Sequence, residues 1–149
     1  MMEIEKAINV LMIDDDGDDC YLFSEALNRL SAGHRFTCGV ESSKMYDYIE
    51  QVKPHLIFMD INMPGKNGIQ CLKELKAHPQ YGNIPVIIYS VSNSDRDKEE
   101  CLAAGAHHYL VKPYVLANLT HSLKKVFSKN WKVVQTLPAR EDYVIGLDF

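Results

Sequence analysis

Cysteine-pair motifs, long apolar runs and a surplus of basic charge are all missing from this 149-residue chain. The four cysteines, Cys20, Cys38, Cys71 and Cys101, stand singly with no Cys-x-x-Cys pair. That spacing suits neither a zinc site nor a redox dithiol, so reduced, mostly buried thiols are expected. No positively charged start leads into a long apolar segment, and the longest uncharged apolar stretches, such as 8–13, are of strand length rather than membrane length. A cytoplasmic protein without membrane contact is expected. The formal net charge of −4 argues against a broad phosphate-binding face, which needs clustered Lys and Arg, so direct nucleic-acid binding is not expected. The one basic cluster, Lys124, Lys125, Lys129 and Lys132, reads as the solvated face and last turn of a helix. Repeats and low-complexity tracts are missing as well, and the length suits one compact domain with a tail.

What is present is an alternation. Residues 7–13 are apolar and end abruptly in an acidic run, the pattern of a strand buried on both faces. From Asp18 or Asp19 to Leu30, Tyr21, Leu22, Ala26, Leu27 and Leu30 recur at helical spacing, with carboxylates in the first turn and Gly33 beyond the end. The pattern repeats: strand 35–40, helix 43–51, strand 55–59, a Pro-Gly loop, helix 67–77, strand 84–89, helix 95–104 closed by Gly105, strand 107–111, and helix 115–128. Strands alternating with helices predict a parallel sheet covered on both faces, with its working site beyond the carboxyl ends of the strands.

Four strand ends deliver polar groups into that region: Asp14 and Asp15 after the first strand, Asp60 after the third, Ser90 after the fourth and Lys112 after the fifth. Three gathered carboxylates oppose one another's ionisation unless positive charge intervenes. A hard divalent cation and a lysine supply it, and Mg2+ suits oxygen ligands of this kind. Asp15 and Asp60 are expected as direct ligands, with Asp14 acting through water. Asp60 then becomes a nucleophile toward phosphorus, Lys112 offsets charge on the phosphoryl oxygens, and Ser90 donates to one of them. Asp16, Asp18 and Asp19 read as turn and helix N-terminus residues, and none of the histidines is placed for catalysis.

The segments Val10-Leu-Met-Ile-Asp-Asp15, Phe58-Met-Asp-Ile-Asn-Met-Pro-Gly65, Val86-Ile-Ile-Tyr-Ser90 and Tyr109-Leu-Val-Lys-Pro113 together resemble the receiver domains of response regulators, over residues 7–128. The resemblance implies an α/β fold, a doubly wound, flavodoxin-like (CheY-like) five-stranded parallel sheet in the order 2-1-3-4-5. It implies a two-component phosphorelay switch rather than an enzyme with a separate substrate. Asp60 accepts a phosphoryl group from a histidine kinase or phosphotransfer protein, and the chain catalyses only its own Mg2+-dependent phosphorylation and dephosphorylation. Asp14 and Asp15 match the acidic pair, the backbone carbonyl of Asn62 the third metal ligand, and Ser90 and Lys112 the groups on the phosphoryl oxygens. Tyr109 matches the aromatic that turns inward as Ser90 moves, changing the face of helix four, strand five and helix five toward a downstream protein target.

The sequence departs from that family at Val91, where a small residue is usual; its branched side chain is expected to narrow access to Asp60 and slow small donors. Gly17 stands where many relatives carry proline. Residues 129–149 are expected to be a tail rather than an output domain, in the manner of stand-alone receivers. Trp131, Val133 and Val134 precede Pro138 and an apolar run closes residues 143–149, so the tail is expected to dock, on its own domain or on a second copy as a homodimer. Two rivals are weaker. An unphosphorylated receiver-like scaffold has no need of the complete acceptor set, and a dehalogenase-type phosphatase needs a second aspartate where this chain has Asn62.

Overall fold

The computed structural model describes residues 7–133 and 136–146. Five strands, β1 (Asn9–Ile13), β2 (Arg35–Gly39), β3 (Leu56–Met59), β4 (Val86–Ser90) and β5 (His108–Val111), alternate with five helices. These are α1 (Gly17–Asn28), α2 (Met45–Val52), α3 (Gly68–Ala77), α4 (Asp95–Ala103) and α5 (Leu116–Phe127). All strand pairs are parallel, in the expected order β2-β1-β3-β4-β5. The sheet is longer than expected by one strand: β6 (Val144–Ile145) from the tail pairs parallel with β5, setting Val144 beside Tyr109 and Ile145 beside Leu110.

β3 and β4 are buried along their whole length, as apolar runs without alternation require. Alternate residues serve opposite faces. Val10, Met12, Phe58, Ile87 and Tyr89 pack under α1 and α5 with Phe23, Leu123 and Trp131. Leu11, Ile13, Ile57, Met59 and Ile88 pack under α2, α3 and α4 with Ile49, Leu72 and Tyr109.

Three of the helices, α1, α3 and α4, start where capping side chains stand. The Asp16 carboxylate accepts from the amides of Asp18 and Asp19, Asn67 from Gln70, and Ser94 from Asp97. Gly105, at φ +102°, follows α4 in the left-handed conformation that closes a helix. In α1 the buried face is Cys20, Phe23, Ala26 and Leu27, whereas Tyr21 is 69% exposed. Of the expected face, Ala26 and Leu27 are buried and Leu22 and Leu30 pack partly buried against the same core; Tyr21 alone departs from it, and Cys20 and Phe23 are buried in addition.

The expectation for the cysteines needs correction. Cys20 and Cys38 are joined as a disulfide, with their Cα atoms 6.2 Å apart; Cys71 and Cys101 are free and buried. The pair spans α1 and β2, 18 residues apart, and is assembled by the crossover between β1 and β2. Motif spacing along the chain carries no trace of such a contact.

The tail docks on its own domain. Trp131 is 4% exposed and donates its indole N–H to the Val126 carbonyl, 2.9 Å away. Tyr143 is 3% exposed; its hydroxyl donates to the Lys98 carbonyl of α4 at 2.9 Å, and its own carbonyl accepts from the Tyr109 amide at 3.0 Å. Arg140 pairs with Glu99, also on α4. Val134 and residues 147–149, part of the apolar tail expected to dock, lie outside the described residues.

Candidate functional site

Parallel pairing sends the carboxyl ends of β1, β3, β4 and β5 to one edge of the sheet. Asp14 follows β1 and is fully buried; its amide donates to Gly39 O. Asp60 follows β3 at 5% exposure, with its amide on Ile13 O. Ser90 ends β4, fully buried, and its Oγ accepts from the Ser92 amide at 3.2 Å. Lys112 follows β5, and its amide donates to Ser90 O at 2.8 Å. Main-chain bonds of the ladder thus fix where each of these side chains starts.

Asp14, Asp15 and Asp60 each offer a carboxylate oxygen, and these atoms lie within 4.8 Å of one another. An all-oxygen, all-anionic donor set is the chemistry of a hard divalent cation such as Mg2+ or Mn2+, so the residues fit the expected ion. Asp16 stands outside this trio and caps α1 instead. Asn62 is exposed, and its amide donates to Asp60 Oδ1 at 3.3 Å, which brings its peptide close to that carboxylate.

Lys112 holds the cluster together. Its Nζ lies 2.8 Å from Asp14 Oδ2, 3.2 Å from Asp60 Oδ2 and 2.6 Å from Asp19 Oδ2. Burial disfavours the ammonium, but its hydrogen bonds to Asp14 and Asp19 and the charges of Asp14 and Asp60 prevail, so its pKa is raised. Burial also pushes the Asp14 carboxyl up to about 6, against the lowering pull of Lys112. Below the ammonium lies the Tyr89 ring, 5.3 Å from Nζ to its centroid, giving the cation an aromatic floor.

Two residues of this site escaped the sequence reading. By its sequence Asp19 reads only as a helix-start residue, where acidic residues are common; the docking of α1 against the strand ends brings its carboxylate to Lys112. Gly68 is the other. A Cβ there would lie 1.9 Å from the Asp60 carbonyl oxygen, so only glycine lets α3 begin directly behind Asp60. The Gly68 amide donates to Ile61 O at 2.8 Å in that approach.

Tyr109 is fully buried, its hydroxyl donating to the Ser92 carbonyl at 2.9 Å in the loop after β4. The ring expected to turn inward therefore already stands inward, with Tyr143 of the tail at 6.4 Å between ring centroids. Val91 is 49% exposed beside Ser90.

Known proteins share this sequence pattern and fold. Residues 10–124 match the response regulator receiver domain family. The chain is 29% identical to Protein PilH of Pseudomonas aeruginosa, over 80% of this chain and 97% of that one. It is 26% identical to Response regulator Rcp1 of Synechocystis sp., over 87% and 92%. Transcriptional regulatory protein PrrA of Mycobacterium leprae is 33% identical over 80% of this chain, which spans half the length of that relative. Among solved structures, the Mn2+-bound form of Rcp1 superposes with a TM-score of 0.73 at 26% identity, covering 89% of this chain and 99% of that one. The phosphorylated cyanobacterial phytochrome response regulator RcpA superposes with 0.75 at 26% identity and the same coverage.

Proposed function

Because the chain belongs to the response regulator receiver domain family of two-component signalling, we propose that Asp60 accepts a phosphoryl group from a phosphohistidine on a histidine kinase or phosphotransfer protein. The observation that carries this reading is the Lys112 ammonium lying between Asp60 and Asp14 at the edge where Asp14, Asp15 and Asp60 converge. In the reaction a carboxylate oxygen of Asp60 forms a bond to phosphorus while the P–N bond to the donor imidazole breaks. The electron pair leaves on that nitrogen, which takes up a proton.

Asp14, Asp15, Asp60 and the Asn62 carbonyl would hold Mg2+, which when bound neutralises charge shared between carboxylate and phosphoryl oxygens. Lys112 shifts part of its hydrogen bonding from carboxylate to phosphoryl oxygen. Ser90, beside it on β4, releases the Ser92 amide and donates to another. The Asp60 amide bond to Ile13 O keeps the nucleophile in place meanwhile.

The output in this reading is the face of α4, β5 and α5. Ser90 and the Tyr109 hydroxyl both bond to Ser92, so movement of Ser90 is felt in the loop that leads into α4. Residues 129–149 act as a tail on the receiver of 7–128, and the described part of that tail covers the β5 edge and touches α4. Working as a single-domain switch accords with the near-complete coverage of PilH and Rcp1. Among the described residues no helix is long and apolar enough to cross a membrane.

Intact-mass spectrometry after incubation with phosphoramidate and Mg2+ tests the acceptor. An adduct of about 80 Da that disappears with EDTA and in Asp60→Asn is expected of an aspartyl phosphate. No adduct from phosphoramidate or from a panel of phosphorylated kinases would favour an unphosphorylated scaffold.

A further inference from the structure

We infer that Asp19 is a positioning residue for Lys112, competing with an incoming phosphoryl group for the ammonium and so setting how readily Asp60 is occupied. The inference rests on the acceptor reading above and adds a residue to it. An ammonium has three N–H donors, and Lys112 has three carboxylate partners: Asp14, Asp19 and Asp60. A phosphoryl oxygen that needs this lysine must therefore displace one of them.

The three partners are not equivalent. Asp14 and Asp60 belong to the carboxylate trio suited to a cation, whereas Asp19 stands outside it. Asp19 nevertheless makes the shortest of the three contacts, 2.6 Å, from the first turn of α1. Its side chain is 29% exposed while that of Lys112 is 5% exposed, so the pair lies at the mouth of the cleft, with lysine inside and carboxylate outside. The Asp16 cap fixes where Asp19 sits, because its carboxylate takes the amides of both Asp18 and Asp19. Held this way, Asp19 draws Lys112 toward α1. Three carboxylates then face one ammonium, and the approach of a further anion is opposed both by Asp19's charge and by its hold on the donor.

Beryllium trifluoride at saturating Mg2+ is a tetrahedral phosphoryl mimic for the test, read as the rise in melting temperature during titration. Wild type, Asp19→Asn, Asp18→Asn, Lys112→Met and the Asp19→Asn/Lys112→Met pair are compared. Asp18 is exposed and lies outside the trio around Lys112, so its variant measures the general effect of removing one negative charge. Asp19→Asn keeps the shape and an acceptor oxygen. It is expected to bind the mimic about fivefold more tightly, the scale of a partly screened ion pair. Asp18→Asn is expected to change binding by less than about twofold, and the gain from Asp19→Asn is expected to vanish in the Lys112→Met background, as a double-mutant cycle requires of an effect acting through the lysine.

Equal effects of Asp18→Asn and Asp19→Asn, weaker binding by Asp19→Asn, or a gain that survives Lys112→Met would overturn the positioning role while leaving the acceptor reading intact. A Lys112→Met protein that does not bind leaves the comparison with Asp18→Asn to decide. Wild type that fails to bind the mimic at all would overturn both.

Discussion

Replacing Tyr143 by alanine asks whether the tail is part of the domain or merely lies on it. The side chain is 3% exposed, packs in the apolar cluster that contains Tyr109, and sends its hydroxyl to Lys98 O of α4. Truncating a buried aromatic of this kind costs about 3–5 kcal/mol, from lost transfer energy and the cavity left behind. At about 3 °C per kcal/mol for a chain of this size, the melting temperature should fall by about 10 °C. Tyr143→Phe keeps the ring and loses one hydrogen bond, about 1 kcal/mol or about 3 °C. Leu137, 56% exposed on the same tail, serves as the control, and its alanine variant should stay within about 0.5 kcal/mol of wild type. Differential scanning calorimetry reads all three. A fall of less than about 2 °C for Tyr143→Ala would show that β6 and the ring behind Tyr109 contribute nothing to the folded domain.

Two further outcomes are expected. Val91→Ala should raise the rate of labelling by acetyl phosphate severalfold, measured by intact mass against time, because the branched side chain stands beside Ser90 at the cleft; an unchanged rate would remove the steric argument. Stability should fall in acid through the buried His108 and the half-buried His34 and His55. Burial lowers the pKa of His108 from 6.5, and those of His34 and His55 likewise. As pH drops through 6.5 the unfolded chain takes up protons that the folded imidazoles resist, so stability present above that pH is lost toward the lower folded values. His108 Nδ1 lies 3.0 Å from Asp142 O and 3.1 Å from Tyr143 O, so the hydrogen-exchange protection factors of residues 136–146, taken relative to the intrinsic rate at each pH, should fall between about pH 7.5 and 5.5. In His108→Asn, which retains a donor near that position, the pH dependence should shrink; an unaltered dependence would place the sensitive group elsewhere.

The sheet and its working edge were legible because burial leaves a mark on the chain. Strands covered on both faces, such as β3 and β4, read as unbroken apolar runs, and each ends at a polar residue that can only lie beyond the sheet. Helix starts were legible for the same local reason, since Asn67 and Ser94 cap with side chains a few residues away. Boundaries shifted by a residue or two where the signal was weak, as with α2, which is preceded by a 3-10 turn at Ser42–Lys44. β6 left little trace. Two residues pairing through main-chain atoms need no apolar pattern, and their partner strand is more than thirty positions away.

Sequence by itself therefore determined the α/β class, the strand order once the family likeness was recognised, and that Asp14, Asp15, Asp60, Ser90 and Lys112 stand together at the strand ends. Those residues are local neighbours of the strands that carry them. Tertiary structure alone decided that Asp19 shares Lys112, that Gly68 is pressed against the Asp60 carbonyl, that Cys20 meets Cys38, and that Tyr143 backs an inward Tyr109. Each of these is a meeting of side chains brought together by crossovers and by how helices settle on the sheet. Hydrophobic periodicity records which face of an element is buried, but not which residue waits on the other side.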